Sequence, residues 1–263
     1  MRHYASPVEA IAYRVIDLYA RRTLARDVEL RVEGAERLPA AGATLIAARH
    51  YHHLLDGVIL LRHARRPTHI FVALDWTRTR WQRRGMELAC RMARWPAVLR
   101  ADTFGQGGGP RDGMSAYTPR EAQPMLRAAT RLATDLLRED ATLVVFPEAY
   151  PNVDPFPSAK DDGRDFLPFA PGFVRLAQLA ERDGKTRVSI VPAGFAYERL
   201  PGPRARWRVT LRYGAPRHIA PRATPAEVAA LVAQVEREVH ALSAPDDAPS
   251  AATASGASAT VEG

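Results

Sequence analysis

Cysteine is almost absent from this sequence, and long apolar runs are missing altogether. The one cysteine, Cys90, excludes an intramolecular disulfide and a cage of thiolate metal ligands. No stretch approaches the roughly 18 consecutive apolar residues of a membrane-spanning helix. The N-terminal residues also lack the apolar core of a signal peptide. We therefore expect a cytoplasmic chain with no segment that spans a membrane.

Lysine is scarce as well, yet positive charge is in excess. The chain has 37 Lys+Arg against 29 Asp+Glu, a formal net charge of +8, and only two of the cations are lysines. Such an excess favours a polyanionic partner, nucleic acid or an anionic membrane, although high-GC coding also enriches arginine. Stacked aromatic residues and a recognition helix are not evident, so we do not expect nucleic acid as a partner. The expected partner is an anionic membrane, contacted peripherally on the inner face of the cell membrane.

Short apolar segments with strand character alternate with helical segments along the whole chain. The former include "GATLIAARH", "THIFVALDW", "ATLVVFPEAYPN" and "RVSIVPAGFAYE". This alternation is typical of an α/β fold with a mainly parallel central sheet flanked by helices. We predict a single domain of that class over residues 1–243. A disordered tail rich in alanine, serine and proline follows over residues 244–263.

The first helix is predicted over about residues 7–24. Ser6-Pro7 supplies an N-cap and a first helical position. Apolar residues then recur at helical spacing: Val8, Ile11, Ala12, Val15, Ile16 and Tyr19. We interpret this stripe as the face that packs on the protein core, with a helix lying on a membrane surface as the alternative.

The segment "AARHYHHLLDG", residues 47–57, concentrates three histidines and an aspartate. It resembles the His-x-His-x-Asp-His motif of metallo-β-lactamase-like hydrolases, but Leu54 and Leu55 occupy the positions of two required ligands. We therefore expect no metal. A metal-dependent hydrolase that uses the cluster stays as the alternative function, with these ligands: His50, His52, His53 and Asp56. A non-catalytic lipid- or nucleic-acid-binding protein is a third hypothesis.

Polar groups stand where three predicted strands end. They are His50 to Asp56, Arg100 to Asp102, and the triplet Phe146-Pro147-Glu148. In open α/β sheets, substrates bind at the carboxyl ends of the strands. A histidine beside a carboxylate at such a position is typical of a general base, because the carboxylate orients the imidazole and stabilises its protonated form.

Four motifs follow one another along the chain: "ARHYHHLLDG", "PAVLRAD", "VVFPEAYPN" and "IVPAGF". In this order the chain resembles the glycerol-3-phosphate and lysophospholipid acyltransferase family. That family has Asn-His-x-x-x-x-Asp after a strand, a basic strand end, Phe-Pro-Glu-Gly-Thr-Arg, and an apolar strand with a Val-Pro pair. The resemblance extends from about Val32 to Pro216.

The resemblance implies an O-acyltransferase that moves a fatty acyl group from acyl-CoA or acyl-carrier protein to a hydroxyl of a lysophospholipid-type acceptor. It implies no cofactor and no covalent enzyme intermediate. The general base would be His50, oriented by Asp56. The implied substrate contacts are Arg100 with a phosphate, and Phe146, Pro147 and Glu148 around the acceptor. Core packing explains Phe146 and Pro147 equally well.

The histidine motif departs from the family pattern in its spacing. Five residues separate His50 from Asp56, where the family has four. A one-residue bulge between strand and helix would restore the contact. If a helix begins at once instead, His52 or His53 shares a face with Asp56. We favour His50 because it continues the strand, and His53 stays as the alternative base.

The Phe-Pro-Glu motif departs as well, because Gly-Thr-Arg is replaced by Ala149-Tyr150-Pro151. The family associates that arginine with the phosphate of the acceptor. The candidates to replace it are Arg100, Arg111 and Lys160, or else the acceptor carries no phosphomonoester. The reaction type is therefore predicted more firmly than the acceptor.

Overall fold

Helices and strands alternate along the chain as the apolar pattern predicts. The computed structural model describes residues 6–64, 66–100, 115–156, 158–160, 164–202 and 206–245. The helices are α1 (Pro7–Asp27), α2 (Leu55–His63), α3 (Arg80–Met92), α4 (Pro119–Arg138), α5 (Gly172–Glu181) and α6 (Pro225–Leu242). The strands are β1 (Val28–Glu33), β2 (Thr44–Ala48), β3 (Thr68–Ile70), β4 (Val72–Ala73), β5 (Ala97–Val98), β6 (Thr142–Val145), β7 (Ser189–Leu200) and β8 (Arg206–Tyr213). Asp102, Arg111 and nearly all of the predicted tail lie outside the described residues.

A central sheet of six strands has the order β1-β8-β7-β2-β6-β3. Every neighbouring pair is parallel except β7 and β8, which run antiparallel. A separate parallel pair, β4 and β5, lies beside it. The prediction of an α/β fold with a mainly parallel sheet is therefore confirmed.

Strand β2 lies inside the sheet, between β7 and β6, and is buried on both faces. Leu45 and Ala47 pack into the apolar cluster that α4, α5 and α6 close, whereas Ile46 and Ala48 pack into the cluster on the side of α2. Burial on both faces explains why this strand is a continuous apolar run rather than an alternating one. Arg49 and His50 follow directly after β2 and therefore lie near the middle of the sheet edge formed by the carboxyl ends of its parallel strands.

Helix α1 forms where predicted but buries a different face. The residues it buries are Glu9, Ala12, Tyr13, Ala20 and Thr23, while most of the predicted stripe is exposed. The exposed apolar side chains are Val8, Ile11, Val15, Leu18 and Tyr19. The interpretation of that stripe as the core-packing face is wrong.

Polar anchors explain which face of α1 turns inward. The Tyr13 hydroxyl donates to the Thr68 carbonyl at 2.7 Å, on the edge strand β3. Trp95 Nε1 lies 3.3 Å from the same hydroxyl, as a donor to it. A helix that covers an edge strand can donate hydrogen bonds to backbone carbonyls that have no partner strand. In α1 the face that does this is the one that carries Tyr13.

Within the described part of the chain, no helix is both long and apolar enough to cross a membrane.

Candidate active site

The turn between β2 and α2 wraps around the Asp56 carboxylate. Asp56 is the second residue of α2 and has no exposed surface. Its Oδ2 accepts hydrogen bonds from the backbone N–H groups of Tyr51 at 2.6 Å and His52 at 2.9 Å. His50 Nδ1 lies 3.0 Å from the same oxygen. The additional residue in the motif is therefore taken up by the turn, whose backbone folds over the carboxylate.

Of the three histidines in this turn, His50 is the one whose ring meets Asp56. His52 Nδ1 faces the backbone N–H groups of Leu54 and Leu55, at 3.3 and 3.4 Å, at the start of α2. Burial lowers the pKa of His52 to about 4, so this ring is a neutral acceptor there.

His53 turns away from the carboxylate, and its Nδ1 donates to the Val153 carbonyl at 3.1 Å. The described residues contain no group of three or more His, Cys, Asp or Glu side chains suited to hold a metal ion. The metal-dependent hydrolase therefore gains no support from the arrangement of this cluster.

The His50 ring is oriented from two sides. Its Nδ1 faces a carboxylate and therefore carries the proton, which leaves Nε2 as the atom able to accept one. The ring stacks on Phe146, with centroids 4.2 Å apart and planes at 14°. Phe146 ends the apolar run of β6, the neighbour of β2, so the parallel sheet brings these two predicted site residues together.

A buried ion pair holds the backbone of His50. Glu148 Oε1 accepts from the His50 N–H at 3.0 Å, and Lys160 Nζ donates to the His50 carbonyl at 3.0 Å. Glu148 Oε2 and Lys160 Nζ are 2.6 Å apart, and neither side chain has exposed surface. Glu148 thus holds the backbone of His50 in place. Its predicted contact with the acceptor stays a prediction. Pro147 is buried beside it, and its carbonyl accepts from the Ala170 N–H at 3.1 Å.

Arg100 is bound within the protein. Its Nε and Nη2 both donate to the buried Asp75 carboxylate, with Nη2 at 2.6 Å from Oδ2. Its Nη1 donates to the Ala149 carbonyl at 3.1 Å, and its guanidinium lies 4.2 Å above the centre of the Tyr150 ring. Asp75 neutralises much of the charge that a phosphate would meet. The predicted phosphate contact of Arg100 stays a prediction.

An apolar cavity of about 540 Å³ opens beside His50. Its size falls within the usual range for small-molecule sites. The described side chains that line it include His50, Val58, Leu61, Ile70, Met86, Trp95, Phe146 and Phe156. Among the described lining residues, Arg100 is the only arginine or lysine. The arginine position of the family motif is Pro151, which also lines the cavity and brings no charge.

The sequence motifs do not indicate Tyr197 as a site residue, and they indicate a different role for Lys160. The Tyr197 hydroxyl donates to Asp56 Oδ1 at 2.6 Å, from β7, which is 141 residues away in sequence. Nothing in the local sequence around Tyr197 indicates this contact. The motif comparison offers Lys160 only as a candidate phosphate ligand in place of the missing arginine. Its rarity, as one of two lysines in an arginine-rich chain, is the one signal that distinguishes it.

The fold and the site are those of an α/β enzyme with an apolar cavity at the carboxyl ends of its parallel strands. The Acyltransferase family model matches residues 29–196, and the chain belongs to that family. It is an acyltransferase, as the order of its motifs predicts.

One solved structure with the same fold is the 1-acyl-sn-glycerophosphate (LPA) acyltransferase PlsC from Thermotoga maritima. The TM-score is 0.54 at 19% identity, over 88% of this chain and 78% of that one. At this identity the likeness concerns the fold. The comparison with curated protein sequences gives no significant match.

Proposed function

We propose that the enzyme transfers a fatty acyl group from acyl-CoA or acyl-carrier protein to a hydroxyl of a lysophospholipid-type acceptor, with His50 as general base. The observation that carries this proposal is the 3.0 Å contact between His50 Nδ1 and the buried Asp56 carboxylate, beside the apolar cavity. The contact leaves Nε2 free of a proton, as a general base requires.

The reaction needs no covalent enzyme intermediate. His50 Nε2 removes the proton of the acceptor hydroxyl as that oxygen attacks the thioester carbonyl carbon. The carbon–sulfur bond then breaks, and the proton passes from the imidazole to the departing thiolate. Asp56 stabilises the imidazolium between these two transfers. Holding both substrates at one strand end supplies much of the acceleration.

The apolar cavity suits the hydrocarbon part of a substrate. Its walls come from α2, β3, β4, Trp95 and the Phe146 strand end, and they offer few polar groups. An acyl chain bound there has its carbonyl carbon near His50. Because Pro151 replaces the arginine of the family motif and Asp75 neutralises Arg100, we propose an acceptor whose recognition depends less on a phosphomonoester than in the family.

Helix α1 exposes an apolar face. Its exposed side chains Val8, Ile11, Val15 and Leu18 follow one face, and the exposed Arg14 and Arg22 flank them. An apolar stripe bordered by arginines suits a helix lying in the interface of an anionic bilayer. We propose that the enzyme meets its lipid acceptor by binding peripherally through this face.

The reaction is tested by measuring thiol release from acyl-CoA and acyl-carrier protein with a panel of lysolipids, and by mass spectrometry of the products. We expect His50→Ala and Asp56→Asn to lose about 10²-fold or more in kcat. His53→Ala, in the same turn, should keep nearly full activity. Loss of activity in His53→Ala with retention in His50→Ala would show that the base is misassigned.

A further inference from the structure

The Asp56 carboxylate is bound from two directions, and only one of them belongs to the histidine motif. Oδ2 receives its three contacts from the turn, namely the N–H groups of Tyr51 and His52 and the ring of His50. Oδ1 receives the Tyr197 hydroxyl at 2.6 Å. Asp56 has no exposed surface, so bulk solvent does not reach this carboxylate in the folded protein.

The Tyr197 ring is held so that its hydroxyl meets Oδ1. It stacks on Tyr51, with centroids 4.4 Å apart and planes at 15°. Trp207 on β8 packs against it edge-on, at 5.7 Å and 83°. Tyr51 also donates its backbone N–H to Asp56, so the residue that stacks on Tyr197 is itself part of the turn. Side-chain and backbone contacts therefore fix the same carboxylate from the sheet and from the turn.

The hydroxyl acts as a donor throughout the working pH range. Burial, together with the neighbouring Asp56 carboxylate, raises the pKa of Tyr197 well above its ordinary value. A donor on Oδ1 draws negative charge away from Oδ2, the oxygen that faces His50. Outer hydrogen bonds of this kind orient a functional group and tune its basicity.

We propose that Tyr197 is a positioning residue for the reaction: its hydroxyl fixes the plane of the Asp56 carboxylate and moderates the charge that this carboxylate presents to His50. The inference rests on the proposed role of His50 as general base. It adds a third member to the His50–Asp56 pair, contributed by the antiparallel hairpin of β7 and β8 rather than by the histidine motif.

The test compares Tyr197→Phe with the wild-type enzyme in kcat, KM and the pH dependence of kcat. We expect kcat to fall about tenfold while KM stays within about twofold. Without the hydroxyl, more negative charge faces the imidazolium, so protonation of the base persists to higher pH. The acidic limb of the profile should therefore move up by about half a pH unit.

Tyr213→Phe is the matched control. Tyr213 lies on the neighbouring strand β8, and its buried hydroxyl has no hydrogen-bond partner among the described residues. Its removal should leave both kcat and the profile unchanged. Trp207→Leu, which loosens the ring but keeps the hydroxyl, should give a smaller loss in kcat together with an upward shift of the acidic limb.

Two results overturn the inference, and they are distinguishable. If Tyr197→Phe keeps the wild-type kcat and profile while His50→Ala is inactive, Tyr197 has no positioning role and the proposed base stands. If His50→Ala keeps full activity, the proposed base fails and the inference fails with it. Should Tyr197→Phe be too unstable to assay, an unshifted profile in Trp207→Leu overturns the inference by itself.

Discussion

At the scale of single residues, the position of the His50 backbone depends on two buried side chains from other parts of the chain. Glu148 accepts from the backbone N–H of His50, Lys160 donates to the His50 carbonyl, and both side chains are fully buried. A buried ion pair contributes little net stability while it is intact, because desolvation offsets the attraction. Removing one partner is costly, since the other charge is then left uncompensated.

We therefore expect Lys160→Met to destabilise the protein by about 3–5 kcal/mol, measured as the free energy of unfolding in urea. Activity at temperatures where the variant remains folded should fall too, because the carbonyl of His50 loses its donor. Lys185→Met is a fitting control, since it removes the other lysine of the chain from an exposed position. Equal unfolding free energies for the two variants would contradict the structural role of the ion pair.

Some residues of the site, but not all of them, can be predicted from the sequence. The sequence favours His50 as the base because it continues a strand, and the contact of its ring with Asp56 agrees with that prediction. Its catalytic role remains a prediction. The partners of Arg100 were out of reach, because Asp75 ends a different strand segment and no spacing rule relates the two. Tyr197 was out of reach for the same reason.

At the scale of elements, helix periodicity correctly predicted that α1 forms but not which face it buries. Helix α1 carries large apolar residues on one side and Tyr13 with Ala20 on another, and either side could pack against the core. The choice is made by β3, whose Thr68 carbonyl needs a donor that Tyr13 supplies. The large apolar side chains are consequently left outside.

This exposed face predicts binding to anionic vesicles. Val15→Asp should lower the bound fraction about tenfold in a sedimentation assay, because one apolar side chain no longer enters the bilayer. The unfolding temperature of the Val15→Asp variant should hardly change, since Val15 is 64% exposed. Leu126→Asp, at an exposed apolar position of α4, is the matched control and should bind normally. Equal binding of the two variants to anionic vesicles would contradict the assignment of α1 as the membrane-binding face. So would wild-type binding to zwitterionic vesicles that equals its binding to anionic ones.

At the scale of the whole molecule, the buried histidine His69 couples the stability of the fold to pH. His69 on β3 is 3% exposed, contacts Tyr13 and the Ala93 carbonyl, and lies 3.8 Å from the buried Glu9. Burial lowers its pKa to about 4, against an ordinary value of 6.5. In the unfolded chain His69 takes up a proton below pH 6.5, whereas in the folded protein it does so only below about 4. Stability is therefore lost as the pH falls through this window.

We expect the free energy of unfolding to decrease between pH 7 and pH 5, and His69→Gln to reduce that decrease by about 2 kcal/mol. Urea titrations at the two pH values measure this directly. His53→Gln, which changes an exposed histidine, should leave the decrease as it is in the wild type. If the His69 variant has the same pH dependence as the wild type, His69 is not buried as a neutral ring.

The sequence by itself determined the class of fold, the order of the strands and helices along the chain, and the family. These follow from local apolar patterns and from motifs whose residues are close in sequence. The order of the strands within the sheet, the buried face of α1, and the contacts of Tyr197, Lys160 and Arg100 were decided only by the tertiary structure. Each of these joins segments far apart in sequence, and the choice among competing partners is made by packing, burial and hydrogen-bond satisfaction when the whole chain folds.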